Sequence, residues 1–460
     1  MAAAAAVPSF FMYTSPELDF SWLRGCDGFA ALLRTSYRER LAEVELHASL
    51  AAHERRVVSA HEAKLFYVPV WELASFRVGA CNGTTHAGRM ARAARALRAA
   101  PAYSLGSPRG TDHFMVSSGC IEANRRAAER LGALAAVLSH AIVGRDRAYS
   151  SFYKASAVGR CTIEIPYVSN AAIPAVASTP AYAAHEEAAA SRERGRRWLL
   201  SFHGSLDVCC EPGRTVRRAA RALIGAHNDT LVAHVPRKEY SQAEQEAAYR
   251  EQAEAMLSST FCLVPAGDNE VSSRLYSSIA AGCIPVVIAN QLSGAFASVV
   301  PYHLLWLRVE EAAFVAHPRA LLPRLRALTA PQIAARRAAL RAHAADVLYA
   351  APNSRVASNF LRAAADGCLA GKPSSLLGLF PPDHAYAHDR NFGVNCSCVR
   401  RPPRFWWQTS NARLLYAGRG KAPTEQCRCL HCATLCPHNA TTDGQQGTHR
   451  ARAHHSRDAM

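Results

Sequence analysis

An alternation of short apolar segments and helical segments in the second half of the chain constrains the fold more than any other feature. We predict strands at 198–202, 231–235, 261–264 and 284–288, and helices at 215–224, 241–257 and 272–281. Strands that alternate with helices form parallel sheets, in which right-handed crossovers place helices on both faces. The pattern therefore predicts an α/β fold with a doubly wound parallel sheet, whose ligands bind beyond the carboxyl ends of the strands.

The first half of the chain contains the same kinds of element in a less regular order. Along the chain we predict a helix at 29–58, a strand at 65–71, a helix-rich stretch at 88–138 that is broken at 101–112, and a strand at 114–116. A stretch at 170–190 is rich in alanine, proline and serine, lacks helical periodicity and is typical of a connection. We therefore predict two α/β domains, at 1–190 and 191–365, followed by a tail at 366–460.

The composition supports packed domains and weakens one class of function. Hydrophobic residues make up 49% of the 460 residues, which is enough apolar material for more than one core. The formal net charge of +17 is carried almost wholly by arginine, because only five of the 53 basic residues are lysine. Since the arginines are spread along the chain and their densest runs, 192–197 and 319–341, lack interleaved aromatic residues, we expect no nucleic-acid partner.

The signals for the cellular compartment point in two directions. No apolar segment approaches the ~20 residues of a membrane-spanning helix, and the residues before Pro8 lack the basic region of a signal peptide. Fifteen cysteines and four Asn-x-Ser/Thr sites instead indicate a secretory compartment, where glycosylation and disulfide formation occur. The four sites are Asn82, Asn228, Asn395 and Asn439. Neither signal decides the compartment by itself.

The stretch 261–288 contains the sharpest candidate site. It combines a buried strand, a loop with proline and glycine, and a helix whose first turn carries Ser272, Ser273 and Arg274. The unbonded amides and positive dipole end of a helix start attract an anion, and arginine adds a permanently charged, bidentate contact. The pattern predicts a diphosphate site, and an ordinary strand–helix–strand unit with a capping serine is the alternative.

At these residues the chain resembles the exostosin-like glycosyltransferase family. The stretch 259–286 reproduces the family pattern S-x-F-C-L-x-P-x-G-D, then S-S-x-R-L, then G-C-I-P-V. Further segments resemble family motifs at 63–69, 110–114, 165–166 and 200–204, the last accompanied by Arg214 and Arg218. Five motifs in the family's order form a much more specific signal than any single one.

The resemblance implies a GT-B architecture, in which two Rossmann-like domains face each other across a cleft. It also implies an inverting hexosyl or pentosyl transfer from a UDP-sugar to a glycan, polysaccharide or glycoprotein acceptor, without a metal or other cofactor. The acceptor would bind the N-terminal domain and the donor the C-terminal domain. A location in the lumen of the Golgi or endoplasmic reticulum is implied too, as is assembly with another glycosyltransferase in a homo- or hetero-oligomer.

The resemblance assigns residues to two roles. The expected donor-binding residues are Gly204, Arg214, Arg218, Gly267, Asp268, Ser272, Ser273, Arg274 and Ser277. Positive charge among them would stabilise the departing diphosphate, while a base would take the proton of the acceptor hydroxyl. We expect that base to be Asp112 or His113, for which a turn aspartate and a hydrogen-bonded structural histidine are the alternatives.

Three positions around the donor site depart from the family pattern. Ser277, Asn290 and Pro301 stand where the family commonly has acidic residues. These departures leave open a second function, that of a non-catalytic exostosin-like protein that binds a glycan or a nucleotide. Polyanion binding through the arginines is a third and lesser alternative.

The tail carries six cysteines in two groups. Cys396 and Cys398 form the first group, and Cys427, Cys429, Cys432 and Cys436 form the second. The second group could hold zinc, or all six residues could form three disulfides. Because of the glycosylation sites we favour disulfides, and we expect no metal site and an irregular, cysteine-rich tail.

Overall fold

The computed structural model of the chain describes residues 6–107, 110–118, 131–146, 161–179, 196–208, 213–235, 241–267, 271–290 and 292–370. Two parallel β-sheets lie within these residues, with helices between successive strands. Asp268 and the whole cysteine-rich tail, including Cys427, Cys429, Cys432 and Cys436, lie outside the described residues.

The first sheet contains six strands from the first half of the chain. They are β1 (Phe10–Met12), β2 (Arg56–Val57), β3 (Leu65–Tyr67), β4 (His113–Val116), β5 (Ile142–Arg145) and β6 (Cys161–Glu164). Their order in the sheet is β2-β1-β3-β4-β5-β6, and every neighbouring pair is parallel.

The second sheet contains five strands from the second half. They are β7 (Trp198–Gly204), β8 (Thr230–His234), β9 (Ser259–Pro265), β10 (Ile284–Ile288) and β11 (Leu307–Arg308). They lie in the order β11-β10-β9-β7-β8, again all parallel. Each sheet therefore reverses its strand order once, between β1 and β3 or between β7 and β9, and such a switch point is where open α/β sheets bind ligands.

Helices connect these strands. The first half has α1 (Asp27–Leu33), α2 (Ala42–Ala51), α3 (Glu72–Val78), α4 (His86–Ala99), α5 (Pro101–Leu105) and α6 (Ala133–Val137). The second half has α7 (Ala172–Ala177), α8 (Gly213–Ala220), α9 (Gln242–Leu257), α10 (Ser273–Ala280), α11 (Tyr302–Leu305), α12 (Glu311–Ala316), α13 (Leu321–Arg326), α14 (Ala330–Val347) and α15 (Val356–Ala363). Ser241 with Glu244 and Thr329 with Gln332 form capping boxes that start α9 and α14.

Two sequence-based predictions about helices are wrong. The predicted helix at 29–58 is broken after α1, because Thr35 Oγ1 accepts a hydrogen bond from Tyr37 N and starts the 3₁₀ helix Ser36–Arg40 instead. The connection at 170–190 was expected to lack helix, yet α7 forms there. Asn170 Oδ1 accepts a hydrogen bond from Ala172 N at its start, and the helix packs against α9.

The core explains why the strands are apolar on both faces. Strand β9 is buried along its whole length, as expected for a central parallel strand covered by helices on both sides. One apolar cluster extends from the first sheet to the second. Helix α15 contributes to it, since the ring of Phe360 lies 5.2 Å from that of Phe114 and Cys368 forms a disulfide with Cys161. The chain therefore returns to the first sheet after completing the second.

The two parallel sheets confirm the predicted α/β class and are consistent with a GT-B-like glycosyltransferase fold. A cleft between two domains, and the boundaries at residues 190 and 365, stay predictions. Two further disulfides join Cys26 to Cys81 and Cys262 to Cys283. Among the described residues, no helix is long and apolar enough to cross a membrane.

Candidate active site

The candidate site lies at the switch point of the second sheet. Strands β7 and β9 are neighbours there, and they end at Gly204 and Pro265. Helix α10 is the next helix after β9 in the chain, with Ser272 as the residue before its first turn. Ser272 Oγ accepts a hydrogen bond from Arg274 N at 3.4 Å. The start of α10 therefore presents backbone amides at the carboxyl ends of the strands, where ligands bind in such sheets.

Arg274 places a buried guanidinium at the carboxyl end of β7. Its Nη2 donates to the carbonyl of His203 at 3.0 Å, and its guanidinium carbon lies 4.5 Å from the ring centre of Phe202. Its Nε is buried and has no hydrogen-bond acceptor among the residues that the structure describes. Burial lowers the pKa of Arg274. Because arginine stays protonated in proteins, a buried N–H without an acceptor favours an anionic ligand.

Two glycines create the space that this arrangement needs. A β-carbon at Gly204 would overlap the Arg274 guanidinium, and a β-carbon at Gly213 would overlap the carbonyl group of Gly267. Both positions therefore require glycine for close approach, one to a side chain and one to a backbone. The structure thus brings the predicted residues Gly204, Ser272 and Arg274 together, while the predicted Gly267 packs against Gly213.

Helix α8 carries the two predicted arginines, Arg214 and Arg218, and a third, Arg217, that was not predicted. The three differ in burial. Arg218 is exposed, and Arg214 is half-buried, with its Nε donating to Val208 O at 3.5 Å. Arg217 is buried instead. It donates to Ala266 O at 2.8 Å and to Ser205 O at 2.6 Å, and so joins the loops that follow β9 and β7. The spacing of Gly213, Arg217 and Ala220 places them on one face of the helix, and this face is buried. That spacing was the sequence signal that could have identified Arg217 as the buried arginine.

Ser273 contacts a carboxylate that the sequence did not indicate. Its Oγ donates to Glu39 Oε2 at 2.7 Å, across a separation of 234 residues in sequence. Burial raises the pKa of Glu39, although the bond from Ser273 and the charge of Arg274 act in the opposite direction. The half-buried Tyr249 faces the same group, and burial together with Glu39 raises its pKa.

The comparison with known families identifies the family of the chain. The family model of the Exostosin GT47 domain matches residues 12–324, which include the start of α10 and every strand of both sheets except the first two residues of β1. The chain belongs to the exostosin GT47 family. This membership confirms the resemblance found in the sequence motifs.

Two curated relatives of this exostosin GT47 chain are plant proteins. A probable glucuronosyltransferase of Oryza sativa subsp. japonica is 28% identical over 281 residues, which is 59% of this chain and 60% of the relative. A probable arabinosyltransferase of Arabidopsis thaliana is 29% identical over 138 residues, which is 30% of this chain and 29% of the relative. The chain therefore spans about three-fifths of the length of the first relative and under a third of the second.

Two of the three positions at which this exostosin GT47 chain departs from the family pattern form hydrogen bonds within the protein. Ser277 is fully buried, and its Oγ accepts a hydrogen bond from Asn170 N at 3.0 Å. Asn290 N donates to Glu311 Oε1 at 2.7 Å, and Pro301 is the residue before α11. Ser277 therefore anchors the connection between the sheets and faces the protein rather than an open pocket.

Asp112 and His113 lie at the amino end of β4. His113 is fully buried, with its Nδ1 2.9 Å from Asp112 Oδ1 and its Nε2 2.9 Å from the hydroxyl of Tyr13. Asp112 Oδ2 also accepts a hydrogen bond from Ser107 N at 2.7 Å. Burial acts to raise the pKa of Asp112, but these hydrogen bonds outweigh it and the pKa is lowered. The structure does not bring this pair to the carboxyl ends of the strands, and its contacts favour a structural role.

Metal ligands were not predicted in the two domains. Within the described ranges, no group of three or more His, Cys, Asp or Glu side chains is placed to hold a metal ion. The four cysteines proposed as alternative zinc ligands lie outside those ranges.

Proposed function

We propose that this chain is a glycosyltransferase that moves a sugar from a UDP-sugar to a glycan, polysaccharide or glycoprotein acceptor. The observation that carries the proposal is the buried Arg274 guanidinium, whose Nε lacks a described acceptor at the start of α10. Family membership and the names of the two plant relatives support the reaction class. The sugar, hexose or pentose, is left open, because those names include a glucuronosyl- and an arabinosyltransferase.

In the proposed reaction the acceptor hydroxyl forms a bond to the anomeric carbon as the bond from that carbon to the UDP oxygen breaks. The acceptor's proton goes to a base, and the electron pair of the broken bond goes to the diphosphate. Arg274 and the amides after Ser272 stabilise the negative charge that develops there. We propose that the transfer is inverting and that these groups supply the positive charge without a metal.

The acceptor side of the proposal rests on a groove in the first half of the chain. Trp22, Glu17 and Arg92 line it together with the exposed Asn82. The indole ring is half-buried, and its Nε1 donates to Pro16 O at 3.1 Å, which fixes the ring in place. An aromatic face beside charged side chains suits a sugar ring, which has an apolar face and polar hydroxyls.

We also propose a Golgi or endoplasmic reticulum lumen as the compartment. Three disulfides among described cysteines favour an oxidising environment. Asn228 is exposed and so is accessible to glycosylation. Assembly with another glycosyltransferase remains part of the proposal on the ground of the family alone.

A second candidate function is nucleotide or glycan binding without turnover. One observation favours it. Ser277 stands where the family commonly has an acidic residue, and its hydroxyl accepts a hydrogen bond from the backbone amide of Asn170. In this case the site would retain its diphosphate contacts while lacking the carboxylate that the family pattern supplies.

An assay of sugar transfer separates these two functions. A panel of UDP-sugars is incubated with oligosaccharide acceptors and the full chain, and the formation of glycoside is measured. We expect turnover with at least one donor, and a loss of about 100-fold in Arg274→Ala. Arg341→Ala removes an exposed arginine of α14 and is the matched control. UDP binding without turnover would select the second function in its nucleotide-binding form. Absence of UDP binding would contradict the first function and leave only glycan binding.

A further inference from the structure

Glu39 belongs to the first half of the chain, yet its side chain reaches the start of α10. Its Oε2 accepts the hydrogen bond from Ser273 Oγ at 2.7 Å, and its backbone oxygen accepts another from Val168 N at 2.9 Å. The 3₁₀ helix that carries Glu39 is therefore held against the connection between the two sheets. This backbone contact fixes the place at which the carboxylate meets the donor site.

The carboxylate lies among the groups that the proposed function assigns to a diphosphate. The charges of Arg274 and Arg40 and the hydroxyl of Ser273 act on it, while Tyr249 faces it from α9. A hydroxyl, a helix start and a buried guanidinium together make a site for an anion. In the structure, the carboxyl group that reaches this site is that of Glu39, through the hydroxyl of Ser273.

Its position argues against Glu39 as the base. A base must lie within about 3 Å of the acceptor hydroxyl, which in turn approaches the anomeric carbon to about 3 to 3.5 Å, on the side away from the diphosphate. The acceptor hydroxyl and the anomeric carbon therefore both lie between the base and the leaving diphosphate. Glu39 instead touches Ser273, a residue on the side of the diphosphate.

Other contacts join the two halves without Glu39. Asn170 N donates to Ser277 Oγ at 3.0 Å, and Ser293 Oγ donates to Glu164 Oε2 at 2.6 Å. Tyr349 Oη donates to the carbonyl of Pro166 at 3.1 Å. These bonds, with the packing of α15, hold the halves together when the bond between Glu39 and Ser273 opens.

We propose that the Glu39 carboxylate occupies the anion site at the start of α10 when no donor is bound, and that the diphosphate of a nucleoside diphosphate sugar displaces it. The inference rests on the proposed function, since both assign this site to the donor diphosphate. When only a fraction of the protein molecules has an open binding site, the apparent dissociation constant equals the intrinsic one divided by that fraction. Glu39 therefore sets the affinity for the donor and selects against ligands whose charge is too small to displace it.

Calorimetric titration of the full chain with UDP, inorganic pyrophosphate and uridine tests this proposal. We expect Glu39→Gln, which keeps the shape and removes the charge, to bind UDP and pyrophosphate about tenfold more tightly than the wild type. Binding of uridine, which has no phosphate, should not change. Glu45→Gln is the matched control, because Glu45 is another half-buried glutamate of the first half whose pKa burial raises.

The outcomes are distinct. If the wild type binds UDP and Glu39→Gln binds it equally or more weakly, the Glu39 assignment is overturned while the proposed function stands. An equal gain in Glu45→Gln also overturns it, because the effect would then be general electrostatics. Glu39→Ala should give the same gain and serves if the glutamine variant does not fold. Absence of UDP binding in every variant contradicts the proposed function, and the Glu39 assignment with it.

Discussion

At the scale of single residues, the donor site depends on space as much as on charge. The motif resemblance identified Gly204 and Arg274, but the reason that they belong together is visible only in three dimensions, where glycine makes room for the guanidinium. The choice between Arg217 and Arg218 shows the limit of the sequence. Adjacent residues on a helix point about 100° apart, so an error of one position exchanges a buried arginine for an exposed one.

Gly204→Ala should reduce the affinity for UDP by about tenfold or more. The added methyl group would overlap the Arg274 guanidinium, which must then leave the site or force β7 to move. Gly25→Ala is the control, because a β-carbon there meets no atom within 4 Å. Titration calorimetry measures the affinity, and a wild-type affinity in Gly204→Ala would show that this close approach does not shape the donor site.

At the scale of elements, four of the five strands of the second sheet were predictable, whereas the break in the long helix predicted for the first half was not. The predicted strands at 198–202 and 284–288 compare with Trp198–Gly204 and Ile284–Ile288, because a central strand buried on both faces is a continuous apolar run. The break between α1 and α2 depends on one threonine side chain, Thr35, which competes with the helical hydrogen bonds. Hydrophobic periodicity carries little information about such local caps.

The junction between α14 and α15 should make stability depend on pH. Asp346 accepts hydrogen bonds from Arg355 Nε at 2.6 Å and from Asn359 Nδ2 at 3.2 Å, and its Oδ2 lies 2.9 Å from His343 Nδ1. Burial acts to raise the pKa of Asp346, but these contacts outweigh it and the pKa is lowered. A lowered folded-state pKa gives stability that is present above the unfolded value of about 3.9 and is lost as the pH falls through the folded value.

Asp346→Asn should therefore lower the free energy of unfolding at pH 7 by about 2 kcal/mol. The difference from the wild type should shrink as the pH falls through the folded-state pKa of Asp346. Denaturant unfolding of both proteins over a series of pH values measures this. A difference that stays constant down to the lowest pH would contradict the proposed charge interaction.

At the scale of the whole molecule, the contacts that join the two halves were beyond sequence reasoning. The bond between Glu39 and Ser273 links residues 234 positions apart, and α15 follows the second sheet but packs on the first. Motifs in one sequence report local structure, and they carry no signal for contacts between distant segments. The division into domains at 190 and 365 therefore remains a prediction about sequence segments.

Phe360→Ala tests the return of the chain to the first sheet. The ring is fully buried against Phe114, so its truncation should lower the free energy of unfolding by about 3 to 5 kcal/mol. Phe76→Ala is the control, because that side chain is 41% exposed. Denaturant titration measures both, and an equal, small effect of the two substitutions would show that α15 does not stabilise the first half.

The central claim concerns Arg274, and the most direct measurement is calorimetric titration of UDP into the wild type and into Arg274→Ala. We predict that the wild type binds UDP and that the variant binds it about 100-fold more weakly, since a charged hydrogen-bond donor to the diphosphate is lost. Equal affinities, or no binding of UDP by the wild type, would contradict the assignment of this site to a nucleotide sugar.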